Sequence, residues 1–299
     1  MNLNTKINSV KHTHPPLTRI DAVMVDLDGT MVDTLGDFAV ALNRMLADLG
    51  LPAVASANVV QWIGKGSEYL IKNALAHVYA PKLATNNIPK VACEAVLAPE
   101  VDAILAQAWQ SYQRHYASIN GQCASVYPGV VAGLQQLKAA GLKLACLTNK
   151  PTAFALALLK AKGLDVFFEL TFGGDAFART KPDPLPLLQT CKALGTPPWR
   201  TLMIGDSRND AQAARAAGCP VLLVTYGYNH GEPVTAVDAD GFVDSLAHLG
   251  TAGPDASVGA SLDARRSAFS DLQTFAPCAP SLAPAWTFRP GPCCPARRA

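Results

Sequence analysis

Apolar residues in this chain gather in short runs, each followed by a polar signature. Ala22 to Val25 precedes Asp26-Leu-Asp28-Gly-Thr30, Leu142 to Leu147 precedes Thr148-Asn149, Val166 to Phe172 comes before Lys181-Pro182, and Leu202 to Ile204 precedes Gly205-Asp206-Ser-Arg-Asn-Asp210. Runs this short and β-rich predict buried parallel strands. Helical periodicity fills the spaces between them. Pro128-Gly129 opens a stretch with Val130, Leu134 and Leu137 on one face, and Gly141 closes it. Thr152 is placed to cap a helix ending near Gly163. A second helix covers Leu185 to Gly195, and a third runs from about Asn209 to Gly218, ahead of a strand at Val221 to Val224. This alternation predicts an α/β fold built on a doubly wound parallel sheet.

From the first signature to residue 124 the strand pattern stops. Phe38, Leu42, Met45, Leu46 and Leu49 form one apolar helical face, and Val101, Ile104, Leu105, Ala108, Trp109 and Tyr112 form another. We read 37–124 as an inserted α-helical domain and 20–36 with 125–250 as the core. Trp109 and Tyr112 are read as packing residues. Residues 1–19 form an N-terminal extension, and 251–299, rich in Ala, Pro and Ser without sustained period, read as a disordered tail.

The 299 residues suffice for about two domains. Hydrophobic content of 49% with a net charge of +2 fits a globular enzyme acting on a small molecule and offers no basic patch for nucleic acid. Eight cysteines without CxxC pairs read as buried thiols in a reducing compartment. No run resembles a signal peptide or reaches the ~20 apolar residues of a membrane span, so a cytoplasmic location without membrane association is expected. Monomer and homodimer are not distinguished.

A reactive group just past such a strand sits in the crevice where open α/β sheets bind ligands. Asp26 and Asp28 after a buried Val-Met-Val lead-in would be costly unpaired, and a hard cation with oxygen ligands, read as Mg2+, resolves that cost. One such aspartate can attack phosphorus while the other manages protons. Thr148 and Asn149 supply a hydroxyl and an amide for phosphate oxygens. Lys181, stiffened by Pro182 and Pro184, is suited to shielding charge at the transferring group. Asp206 is the natural second carboxylate for the metal, and Asp210 is assigned to orienting a ligand water or Lys181.

In order and spacing, the four signatures resemble those of the haloacid-dehalogenase-like hydrolase superfamily over residues 20 to 248. The resemblance implies a Rossmann-like core with a helical cap. It also implies Asp26 as nucleophile and metal ligand, Asp28 as general acid/base that binds magnesium through its backbone carbonyl, Thr148 as phosphate ligand, Lys181 as charge stabiliser and Asp206 as metal ligand. Within the superfamily the chain looks most like phosphoglycolate phosphatases, through Trp62-Ile-Gly64-Lys65-Gly66, Thr148-Asn149-Lys150-Pro151 and Thr225-Tyr-Gly-Tyr-Asn-His-Gly-Glu-Pro233. Such a substrate carries a carboxylate beside its phosphate, and Lys65, between two glycines, is the candidate to read it. Lys150 and Arg208 adjoin signature residues, and His230 is read as packing in its loop. Other capped phosphohydrolases and phosphosugar mutases share this core chemistry. A noncatalytic phosphate-binding protein is a remoter reading, because every reacting group is present.

Overall fold

A computed structural model describes residues 20–84 and 90–249, without the side chains of 80–102. The expected extension, the expected tail and Val101 lie outside the described residues or side chains. In chain order the elements are β1 (Ala22–Val25), β2 (Val32–Asp33), α1 (Leu35–Asp48), α2 (Ser56–Val59), α3 (Ser67–Ala84), α4 (Lys90–Ile119), β3 (Ser125–Val126), α5 (Val130–Ala139), β4 (Lys143–Leu147), α6 (Thr152–Ala161), β5 (Leu170–Phe172), α7 (Leu185–Leu194), β6 (Thr201–Gly205), α8 (Arg208–Ala217), β7 (Val221–Val224) and β8 (Gly241–Val243).

Six strands form one parallel sheet in the order β5-β4-β1-β6-β7-β8. This is the Rossmann-like α/β architecture, with its strand order reversing beside β1. Alternate residues of β1 enter different cores. Val23 and Val25 join a cluster with Leu134 of α5 and Leu158 of α6, whereas Ala22 and Met24 face Leu187 of α7 and Ala214 of α8. A strand buried on both faces is apolar throughout, which explains why β1 reads as a continuous run.

The antiparallel pair β2 and β3 carries the chain out to four helices and back. These helices bury Phe38, Leu42, Met45 and Leu46 against Ala108 and Tyr112 in a third cluster, with Trp109 packed partly buried at its side. The Asp37 carboxylate accepts hydrogen bonds from the Gly121 and Cys123 amides at 2.5 and 2.7 Å, clasping the outgoing chain to the returning one.

Local readings need correction at three places. Thr152 is the first residue of α6 and caps nothing; the Asp175 carboxylate accepts from its amide at 2.8 Å and from its hydroxyl. The run from Val166 is only half strand, because Asp165–Phe167 forms a 3-10 turn with Val166 exposed to solvent. β8 was not read, since Gly241-Phe-Val lacks a long apolar run. Cys146, Cys191 and Cys219 are buried and in no disulfide. No helix among the described residues is long and apolar enough to cross a membrane.

Candidate active site

Strand register brings the acidic signatures together. Val25 of β1 pairs with Ile204 of β6, and the Asp26 amide donates to the Ile204 carbonyl at 2.9 Å. Asp26 therefore leaves one strand beside the point where Asp206 leaves the other. Oxygens of Asp26, Asp206 and Asp210 lie within 4.8 Å of one another, all three residues buried. Two glycines make this crowding possible. A Cβ on Gly29, whose φ is +84°, would collide with the Asp206 carboxylate, and one on Gly205 would strike Asp210.

Lys181 reaches this cluster from the loop before α7. Its ammonium lies 2.9 Å from Asp26 Oδ1 and donates to Asp210 Oδ1 at 2.7 Å and the Leu147 carbonyl at 2.8 Å. Burial alone would lower the pKa of this lysine, but Asp210 and Asp26 outweigh it and hold it above its ordinary value. The other oxygen of Asp210 accepts from the Ser207 amide and hydroxyl at 3.2 and 2.9 Å, a capping arrangement that starts α8.

Three buried carboxylates share a single buried lysine, and the imbalance appears in their pKa values. Burial pushes Asp26 up to about 6 against the pull of Lys181, with Asp210 adding to the rise. Burial, then Asp210 and Asp26, drives Asp206 well above the usual carboxylate range. Asp206 Oδ2 accepts from the Tyr228 amide at 2.6 Å, a neutral donor that does not cancel the charge. An all-oxygen donor set with excess negative charge fits Mg2+. Asp210 has both oxygens engaged by protein groups, so Asp26 and Asp206 are the pair suited to the ion.

Asp28 turns to another partner. Its Oδ1 lies 2.9 Å from the Lys150 ammonium, which also donates to the Tyr116 hydroxyl at 2.5 Å. The ammonium stands 4.6 Å from the Phe38 ring centre and 4.8 Å from that of Tyr116. Asp26, Asp28, Thr148 and Lys150 line a cleft together with Phe38, Ile63, Leu70 and Tyr116, and with Gly64, Gly66 and Ser67 at its rim.

The remaining candidates are placed differently. Thr148 is buried on the cleft, with its hydroxyl accepting from the Lys150 amide at 3.2 Å. Asn149 also borders the cleft, but its side chain is held by protein groups: it donates to the Gly64 and Lys181 carbonyls at 3.0 and 2.8 Å and accepts from the Lys181 amide at 3.0 Å. It fastens the lysine loop to the helical side. Lys65 stands over the Tyr69 ring at 5.0 Å and lines a separate cavity with Arg208 and His230, outside the cleft bordered by Asp26 and Asp28. His230 reaches beyond its loop, with Nδ1 3.3 Å from the Gln61 carbonyl and Nε2 3.4 Å from the Asn209 amide nitrogen. Tyr116 was missed. It lies four residues after Tyr112 on the same helical face, so the period that found Tyr112 extends to it.

Comparison with known proteins decides the family. The haloacid dehalogenase-like hydrolase profile matches residues 20–218, which includes the four polar signatures from Asp26 to Asp210. The chain belongs to this family. As a haloacid dehalogenase-like hydrolase it is 45% identical over 228 residues to "Phosphoglycolate phosphatase" of Thiobacillus denitrificans, covering 76% of this chain and 93% of that one. It is 42% identical over 233 residues to the protein of the same name from Nitrosospira multiformis, covering 78% and 95%. Among solved structures it resembles a predicted phosphoglycolate phosphatase from Haemophilus somnus, with TM-score 0.67 and 32% identity over 78% of this chain and 98% of that one.

Proposed function

We propose that this hydrolase is a magnesium-dependent phosphatase that converts 2-phosphoglycolate to glycolate and phosphate through an aspartyl-phosphate. It is a phosphoric monoester hydrolase acting on a small ester, and the buried Asp26–Lys181–Asp210 cluster facing Asp206 carries the reading. The substrate is the one for which its relatives are named.

Asp26 attacks phosphorus, the bond to the glycolate oxygen breaks, and Asp28 gives that oxygen a proton. Asp28 then takes a proton from water as the water attacks phosphorus, which frees phosphate and restores Asp26. Thr148 holds a phosphate oxygen, while Lys181 offsets the charge on Asp26 and Asp210 throughout. Asp26, Asp206 and the Asp28 carbonyl would hold magnesium, which would neutralise charge on the phosphoryl oxygens. Asn149 is a positioning residue through Lys181, not a substrate ligand. Residues 37–124 act as a cap that excludes water from the core of 20–36 and 125–250, turning on hinges near Leu35-Gly36 and Gly121 to Ser125. We assign the reaction to the cytoplasm.

The test is magnesium-dependent phosphate release across 2-phosphoglycolate, a phosphosugar, pyrophosphate and an aryl phosphate. The highest kcat/KM is expected for phosphoglycolate. Preference for the phosphosugar would move the chain to a neighbouring substrate class, and failure on all four would remove the enzymatic reading.

A further inference from the structure

We propose that Lys150, assisted by the Tyr116 hydroxyl, receives the carboxylate of the substrate and is the specificity-determining residue of the cleft. The proposal rests on the phosphoglycolate reading and replaces Lys65 in that role. Among the described residues lining the cleft, Lys150 alone carries a positive charge. Its side chain is 1% exposed, walled by Phe38 and Tyr116. An ammonium buried at an apolar wall is costly unless anions and acceptors receive its three N–H groups. Asp28 and the phenol of Tyr116 take two of them. One donor is left for a ligand.

Reach decides which ligand. Asp28 is the group assigned to the bridging oxygen of the ester, and Lys150 is 2.9 Å from it. A cation bonded directly to the acid/base residue meets a charge that sits only a methylene away from the bridging oxygen. In phosphoglycolate the carboxylate is at that distance. A longer phosphosugar would instead press hydroxyls and a ring against Phe38, Ile63 and Leu70. Lys65 lines the neighbouring cavity and not the cleft that Asp26 and Asp28 border.

The experiment compares 2-phosphoglycolate with 2-hydroxyethyl phosphate, in which the carboxylate becomes a neutral hydroxymethyl group, in the wild type, Lys150→Met and Tyr116→Phe. The wild type should prefer the acid. Lys150→Met should lose about a hundredfold more in kcat/KM on the acid than on the neutral ester, the difference appearing chiefly in KM. Tyr116→Phe should show the same selectivity with a loss of about fivefold. An equal fall on both esters would make Lys150 a positioning residue of Asp28 and overturn the proposal, as would an unchanged preference. Should Lys150→Met fail to fold, Lys150→Gln and Tyr116→Phe carry the test with the same criteria. A wild type without preference for the acid would instead overturn the substrate reading, and with it any carboxylate subsite.

Discussion

The two sides of the cleft are held together by different means. At the carboxyl edge of the sheet, Asp26 and Asp206 are fixed by backbone register between β1 and β6, so their convergence follows from where two strands end. Where the helices meet that edge, the ammonium of Lys150 is held by side chains: a phenol of α4 34 residues before it and a carboxylate 122 residues before it. Backbone-held charges can be crowded against their electrostatic preference, as the raised pKa values of Asp26 and Asp206 record. A side-chain-held charge must be satisfied by its own neighbours. The first arrangement suits chemistry that recurs with any substrate of the fold, and the second suits recognition of one.

The sharpest way to break this contrast is at Lys181. Lys181→Met leaves Asp26 and Asp210 buried without their cation, and removing one partner of a buried pair costs about 3 to 5 kcal/mol. Urea unfolding should show a loss of that size, and phosphate release should fall by roughly a thousandfold. A variant as stable as the wild type would mean that the crowding is already relieved elsewhere.

Metal removal is the next test. Without an ion, folded Asp26 titrates near 6 against an ordinary 3.8, so the folded state binds more protons between those values. Stability of the metal-free protein is then highest below about pH 4 with respect to this group, and is lost as pH rises through 6. Magnesium should restore it at pH 7, measured by denaturant midpoints with and without chelator. At limiting magnesium the acid limb of kcat/KM should lie near pH 6 and move lower as the ion is raised. A midpoint at pH 7 that ignores magnesium would count against an ion at Asp26 and Asp206.

Lys65→Ala should have the smallest effect, a change in kcat/KM within about twofold, because its ammonium rests on Tyr69 beside another cavity. A tenfold loss confined to acidic substrates would return carboxylate recognition to that loop.

The same division explains what could be read from residues alone. β1, β4, β6 and β7 are apolar runs buried in the sheet, and a polar residue one step past such a run is aimed by the strand itself, so Asp26, Thr148 and Asp206 were legible. Lys181 was legible through its prolines, although its bridging of Asp26 and Asp210 depends on a loop path that no periodicity encodes. Lys65 and Lys150 each adjoin a signature, and only tertiary packing separates the one over Tyr69 from the one between Phe38 and Tyr116. Thr152 failed as a cap because Asp175, 23 residues away, supplies the acceptor. The strand expected from Val166 begins late because a tight turn occupies its first half.

The role of Asp26 is open to direct chemical capture. Enzyme turning over 2-phosphoglycolate with magnesium would be quenched in acid, reduced with borohydride and digested, and the peptide spanning Ala22 to Thr30 examined by mass spectrometry. An aspartyl-phosphate at Asp26 is reduced to homoserine at that position, in amounts that depend on substrate and vanish in Asp26→Asn. An unmodified peptide from enzyme caught in active turnover, or reduction at Asp28 instead, would contradict attack by Asp26.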